Sequence, residues 1–239
     1  MKKRICFDIG NRNIKIGIFE SKRKKPEFFI EKKEKAIEII EKITKKYREE
    51  KLYGISVVPF IEEKIKVGFN VRFLTHRDFK EIKNPYKEKE KIGVDRITNV
   101  YSAINLYKTP LIVMDFGTAI TVDFVKKDGN FMGGLIIPSF KTQLEVLNKS
   151  TALINIQNLK LNFKLIGKST EECLSFGIMG SLIYGLKGIV EEIKKKYGLK
   201  NFKIVLTGGD GKLFKRFIKN SIYNPYLTLY GVYLKSLEL

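Results

Sequence analysis

Two short stretches of this 239-residue sequence set a carboxylate and a glycine at a bend between apolar runs: Asp8-Ile9-Gly10-Asn11 and Asp115-Phe116-Gly117-Thr118. A glycine in such a bend is free to take positive φ, so that backbone N–H groups converge on an anion while the carboxylate stands where a metal would sit. A nucleotide phosphate accompanied by Mg²⁺ suits that pairing. About one D-x-G is expected by chance in a chain of this size. Two copies, each followed by Asn or Thr and a second apolar run, lift the phosphate reading above an ordinary hairpin. Thr207-Gly208-Gly209-Asp210-Gly211 adds a third glycine-rich turn at the end of an apolar run. Backbone there can lie against a base or ribose, although alone it would pass for a strand-to-helix loop.

Asp95 and Arg96 adjoin Gly93 where a charged loop gives way to a helical pattern. A carboxylate at that point can accept a hydroxyl proton, and a guanidinium can hold a substrate carboxylate by a forked pair of hydrogen bonds. The plain alternative is a helix-capping Asp beside a solvated Arg. The single histidine, His76, excludes any site built on two imidazoles and reads as an ordinary loop residue. Walker-type G-x-x-x-x-G-K-[ST] and the ordered kinase set of H-R-D and D-F-G are absent, so phosphate chemistry here needs a different scaffold.

The elements that must carry these residues repeat. ICFDIGNRNIKIGIF and IVMDFGTAITVDFV both read as strand, D-x-G, polar turn, strand, with their aspartates 107 positions apart. Such an internal repeat implies a duplicated, two-lobed architecture, which the length accommodates. The first copy spans Arg4 to Phe19 and leads through a basic link, Lys22 to Lys25, to a helical pattern at Glu34 to Glu50. Strand character follows at Tyr53 to Val58 and Lys64 to Leu74, then the charged loop Lys83 to Lys91 and a helix at about Asp95 to Tyr107. The second copy, with strands at Leu111 to Met114, Ile120 to Val125 and Gly134 to Ile137, precedes helices at Lys141 to Leu147 and Ser169 to Tyr197. A strand at Phe202 to Leu206 and two closing helices complete the chain. Gly177, Gly180, Gly185 and Gly188 in the long helix either let another backbone approach closely, as in packing against another subunit, or merely weaken the helix; close packing is the favoured reading.

A net charge of +20 would suit a nucleic-acid binder. The lysines, however, are interleaved with glutamates, as in Glu31 to Lys35 and Lys87 to Lys91, and no basic stripe carries the aromatic spacing of a stacking platform. A solvated Lys/Glu surface that also attracts small anions is the better reading, and nucleic acid is not the expected partner. The excess of Lys, Glu and Ile without Trp resembles the usage of heat-adapted proteins. Cys6 and Cys173 lack CxxC partners, so neither a disulfide framework nor a zinc site is expected, which fits a reducing cytoplasm. No apolar stretch approaches the ~18 uncharged residues of a membrane span, because Asp115, Asp123 and Lys126 break up Leu111 to Val125. The basic start, Met1 to Arg4, is followed by Asp8, Asn11 and Arg12, which do not make a secretory leader. Cytoplasmic localisation is expected.

The order of motifs resembles the type III pantothenate kinases, of the acetate-kinase, sugar-kinase, heat-shock-chaperone and actin superfamily. Asp8-Ile9-Gly10-Asn11, Ile55-Ser56-Val57-Val58-Pro59, Gly93-Val94-Asp95-Arg96, Asp115-Phe116-Gly117-Thr118-Ala119, Gly133-Gly134-Leu135-Ile136-Ile137-Pro138, Gly167-Lys168-Ser169-Thr170 and Leu206-Thr207-Gly208-Gly209-Asp210-Gly211 follow the family pattern from end to end. The resemblance implies an α/β, duplicated ribonuclease H-like (actin-like ATPase) fold of two lobes with mixed sheets flanked by helices. Residues 1–110 would form an N-terminal lobe with the first phosphate loop and the substrate motif. Residues 111–239 would carry the second phosphate loop, the adenosine motif and the dimer helices.

The resemblance also assigns roles. Asp8, Ile9, Gly10, Asn11, Arg12, Asn13, Ile14 and Lys15 would form the first phosphate loop, Gly117 and Thr118 the second, and Gly208 and Gly209 the adenosine end. Asp95 would be the base for the pantothenate hydroxyl, with Gly93, Val94 and Arg96 holding the substrate and Tyr86 over it. Thr170 would reach that pocket from the partner subunit of a homodimer, and Asp115 would ligate a monovalent cation, K⁺ or NH₄⁺. The implied reaction moves the γ-phosphoryl of ATP, with Mg²⁺, to the terminal hydroxyl of pantothenate, giving 4′-phosphopantothenate on the way to coenzyme A. Arg12 stands where the family usually has Thr, and Ser139 where Gly is usual; a cation at 12 could bind the phosphates or obstruct them. Two rivals remain: another phosphotransferase or ATPase of the superfamily, and a non-enzymatic or nucleic-acid-binding regulator on the same fold.

Overall fold

The computed structural model describes residues 3–22, 24–47, 51–157, 159, 161 and 163–239. Strands β1 (Arg4–Ile9), β2 (Asn13–Phe19) and β3 (Glu27–Lys32) form an antiparallel meander. Helix α1 (Ala36–Tyr47) follows, then β4 (Leu52–Ser56), α2 (Pro59–Gly68) and β5 (Val71–Phe73), with β4 and β5 parallel to β1. After α3 (Val94–Leu106) the pattern recurs in β6 (Leu111–Phe116), β7 (Ala119–Val125) and β8 (Phe131–Pro138). Helices α4 (Phe140–Ser150) and α5 (Thr170–Tyr197), β9 (Lys203–Thr207), α6 (Gly211–Phe214), β10 (Ser221–Tyr223) and α7 (Leu227–Ser236) complete the chain.

The sheet orders are β3-β2-β1-β4-β5 and β8-β7-β6-β9-β10, each an antiparallel meander extended by two parallel strands. The duplication read from two D-x-G motifs therefore extends to the whole mixed sheet, as expected. The central strands β1, β4, β6 and β9 are buried on both faces and so are apolar nearly throughout rather than alternating. On the first sheet, Ile14, Ile16 and Ile18 pack on Ala36, Ile40 and Ile43, one stripe of α1. On the second, Ile112, Met114 and Phe116 pack on Ile178, Met179, Leu182 and Leu186 of α5. The opposite faces meet around α3 and α7, where Cys6, Tyr53 and Ile55 share a cluster with Leu111, Val113 and Val205. Helix α7, last in the chain, thus packs against β1 and β4 of the first sheet.

Several local expectations are corrected. Lys64 to Leu74 is not one strand: Pro59 opens α2, whose Ile61 and Ile65 lie four apart on its buried side, and only Val71–Phe73 is extended. The short strands β3 and β10 went unforeseen, and the first of the two closing helices is a single turn, Gly211–Phe214. Helix α1 is described to Tyr47, and residues 48–50 of its expected span lie outside the described residues. His76 opens a short 3-10 turn capped by Thr75 and Asp78. Among the described residues, a Cβ at Gly177, Gly185 or Gly188 would meet nothing within 4 Å, and at Gly180 only Phe176, so no described backbone approaches α5 closely there. Contrary to the sequence expectation, α5 is long and apolar enough to cross a membrane by length and composition. Its buried residues, among them Ile178, Met179, Leu182, Leu186 and Val190, are core contacts of the second sheet.

Candidate active site

Each sheet delivers one carboxylate near the end of its first strand. Asp8 on β1 faces Lys15 of β2 in register, and Lys15 Nζ donates to Asp8 Oδ2 at 3.2 Å. Asp115 on β6 faces Thr121, so the second copy has no cation in the equivalent place. Its partner comes instead from α3, where Asn99 Nδ2 donates to Asp115 Oδ2 at 2.8 Å. Asp95 sits in the first turn of α3, four residues before Asn99, and accepts from the Arg96 N–H at 2.8 Å. Gly93 permits this fold-back, since a Cβ there would stand 2.5 Å from Asp95 Oδ1.

The three carboxylates act on one another and on Lys15. Burial pushes the Asp95 carboxyl up to about 6, reinforced by the charges of Asp115 and Asp8. Burial likewise raises Asp115, against the pull of Lys15 and Asn99. Lys15 loses stability as an ammonium through burial, but Asp8, Asp115 and Asp95 outweigh that loss and hold it above its ordinary value. Three acids around one ammonium make a site that favours added positive charge. Among the described residues no group of three His, Cys, Asp or Glu side chains is disposed to hold a metal. A divalent ion would therefore take most of its ligands from phosphate and water, as Mg²⁺ commonly does.

The bends differ from expectation in one respect. Gly10 and Gly117 are not at positive φ; their N–H groups close the hairpins onto the Asn13 and Ala119 carbonyls at 2.9 and 3.0 Å. Asn11, Arg12 and Thr118 carry the N–H groups at the bend tips. The expected conformational need falls instead on Gly208, at φ 82°, where a Cβ would lie 2.5 Å from Asp115 Oδ1 and from the Phe116 carbonyl. The turn after β9 thus lies directly on the end of β6. Gly208 is buried and Gly209 exposed.

Arg96 is buried and tied inside the protein. Its Nε and Nη2 donate to Asp123 of β7, the shortest contact being 2.6 Å, and Nη1 donates to the Tyr86 hydroxyl at 2.6 Å. One edge of the fork expected to meet a substrate is therefore on Asp123. Tyr86 is held in turn by Asn84, whose Oδ1 accepts from the Tyr86 N–H at 3.0 Å. Val94, the first residue of α3, is half-buried beside them. Ser139 is the buried N-cap of α4 and accepts from the Thr142 N–H.

Thr170 is not among these residues. It is exposed at the start of α5, by a surface depression shared with Ile154, Gly167, Cys173 and Leu174. A cavity of about 900 Å³ lined by Lys108, Pro110, Lys203 and Phe217 lies at the opening ends of β6 and β9, remote from Asp115 and Thr207 at their closing ends. The sequence reading missed Asn99, Asp123 and Thr228 as site residues. Asn99 lies one helical turn after Asp95, the one signal that pointed to it.

Two sheets of one topology, each ending a first strand in a carboxylate beside a bend, define the fold class of actin-like ATPases and sugar kinases. Solved structures bear this out: a protein described as a Baf family transcriptional activator from Campylobacter jejuni matches with TM-score 0.67 at 20% identity, covering 98% of both chains. An inorganic polyphosphate/ATP-glucomannokinase from Arthrobacter matches with TM-score 0.55 at 13% identity over 100% of both. Within that class the chain belongs to the type III pantothenate kinase family, whose sequence model matches residues 4–195. It is 31% identical to the type III pantothenate kinase of Flavobacterium johnsoniae over 92% of this chain and 91% of the relative. It is 34% identical to that of Petrotoga mobilis over 98% of both.

Proposed function

We propose that the chain transfers the γ-phosphoryl of ATP to the terminal hydroxyl of pantothenate, forming 4′-phosphopantothenate, the first step of coenzyme A biosynthesis. The observation that carries this reading is the position of Asp95: it stands at the mouth of α3, in the field of both bend carboxylates, with its pKa raised to about 6. A carboxylate so poised accepts the hydroxyl proton as the new O–P bond forms. The family match argues for pantothenate and against both rivals.

In this reading residues 8–15 hold the β- and γ-phosphates from the N-terminal lobe (1–110). Gly117 and Thr118 meet them from the C-terminal lobe (111–239), and Gly208 and Gly209 face the adenosine. Lys15 supplies fixed positive charge beside Asp8 and takes no proton in the reaction. Bound Mg²⁺ would neutralise charge on the transferring phosphoryl, whose loose transition state rewards positioning over covalent chemistry. Asp115, whose Oδ2 is held by Asn99, would offer Oδ1 to a monovalent cation, K⁺ or NH₄⁺. Gly93, Val94, Arg96 and Tyr86 bind pantothenate. Asp123 fixes the Arg96 fork on one side, and the substrate carboxylate would meet Nη1, in exchange for the Tyr86 hydroxyl that now accepts from it. Thr170, exposed and away from Asp95, completes the pocket from the second subunit of a homodimer. Cytoplasmic localisation accompanies such metabolism.

A coupled assay with ATP, Mg²⁺ and pantothenate, run with and without K⁺, tests the reading. Phosphopantothenate formation, faster with K⁺, is expected; none under either condition would overturn it.

A further inference from the structure

Helix α4 touches all three loops assigned above to the nucleotide. Arg12, at the tip of the first bend, extends to α4, where its Nη2 donates to Glu145 Oε1 at 2.6 Å. One turn earlier, Thr142 Oγ1 donates to the Thr118 carbonyl at the tip of the second bend, at 2.8 Å. Lys141 Nζ reaches the turn after β9 and donates to both Asp210 carboxylate oxygens at 3.1 and 3.2 Å. Helix α4 therefore links the tip of the first phosphate bend, through Arg12, to the tip of the second, through Thr118. Each cation at this edge is held by a carboxylate.

These pairs do little for folding. The Arg12 and Glu145 side chains keep 36% and 57% of their exposure, and Lys141 and Asp210 keep 49% and 23%. Ion pairs so solvated contribute little to stability. A phosphate tail entering between the bends offers oxygens of greater charge than a carboxylate, in a geometry that a guanidinium fork matches.

We propose that Arg12 is a ligand of the nucleoside triphosphate tail, and that Glu145 holds it in place until the phosphates displace the carboxylate. This rests on the ATP reading of the bends. Glu145 competes with the nucleotide for Arg12, and thereby sets the nucleotide affinity. Arg12 thereby serves the nucleotide and not the fold.

Calorimetric titration of the full-length protein with Mg²⁺ and a non-hydrolysable ATP analogue separates the two layers of the argument. Absence of binding by the unmodified protein would overturn the ATP reading itself. Given binding, Glu145→Gln is expected to tighten it about two- to fivefold, the range a solvated ion pair represents, and to lower KM for ATP but not for pantothenate. Arg12→Gln is expected to weaken binding about tenfold, and Arg12→Lys to restore part of the loss. In the Arg12→Gln background, shown to be folded by its thermal unfolding transition, the gain from Glu145→Gln should vanish. Unchanged or weaker binding by Glu145→Gln, or a gain that persists without Arg12, would overturn the exchange.

Discussion

Asn99 holds Asp115 from a different element: its Nδ2 donates to Asp115 Oδ2 at 2.8 Å, while its Oδ1 accepts from Thr228 Oγ1 at 2.8 Å. The amide is buried and both its ends are engaged, so helix α7 orients a carboxylate on β6 through a residue of α3. The last helix of the chain is thereby coupled to a bend more than a hundred residues earlier. Removing the amide should expose that coupling. Asn99→Ala leaves Asp115 and Thr228 without partners and is expected to cost about 1–3 kcal/mol in urea unfolding, with turnover reduced. Thr228→Val, which keeps the bond to Asp115, should cost about 1 kcal/mol.

Asp95 should announce itself in the pH profile. With its carboxyl raised to about 6, the base form grows as pH rises, so kcat is expected to climb through about pH 6 and level above it. Asp95→Asn should lower turnover by about 10² to 10⁴ fold and abolish that limb. Steady-state kinetics with near-unmodified turnover would remove Asp95 from the mechanism.

The same carboxylate weakens the fold. The unfolded chain gives up this proton near its ordinary value, below the folded value, so stability falls as pH rises from about 4 through 6. Above that window Asp95→Asn should be more stable than the unmodified protein by about 1–2 kcal/mol, allowing for partial solvation. Thermal unfolding at pH 5 and pH 8 should show the gain chiefly at pH 8.

The buried pair of Arg96 and Asp123 should respond asymmetrically. Asp123→Asn strands a buried guanidinium and is expected to cost about 3–5 kcal/mol, with a raised KM for pantothenate. The double variant Arg96→Met with Asp123→Leu removes both charges and should recover most of the stability, but not substrate binding. Denaturant titration alongside kinetics distinguishes the two effects.

Gly208→Ala should damage the nucleotide end. A side chain at φ 82° is strained, and its Cβ would stand 2.5 Å from the Phe116 carbonyl carbon and oxygen. Displacement of the turn should cost about 2 kcal/mol or more and raise KM for ATP. Gly209→Ala, with nothing within 4 Å of its Cβ, should change stability by less than about 0.5 kcal/mol.

The repeat around Asp8 and Asp115 was legible because both sheets begin with the same local instruction: an apolar strand, an acid, a short polar bend, an apolar strand. Local pattern also marked Gly93 to Arg96 at a helix start and Thr207 to Gly211 after a strand. It misread Lys64 to Leu74, because an apolar run bounded by lysines suits a strand and a helix about equally until Pro59 and the neighbouring sheet decide. It placed positive φ at Gly10 and Gly117 when Gly208 needed it, since a backbone angle depends on what lies above the turn.

What the sequence determined by itself is the inventory and the order: two acid-bearing bends, a third glycine turn, one carboxylate at a helix mouth. Those follow from short-range stereochemistry, which a few adjacent residues carry. Only the tertiary structure decided that Asp115 leans on Asn99, that Arg96 is spent partly on Asp123, and that Arg12 reaches Glu145. Each of these pairs joins residues far apart in the chain, and a buried or bridging charge takes whatever partner folding brings within about 3 Å, a choice no local pattern encodes.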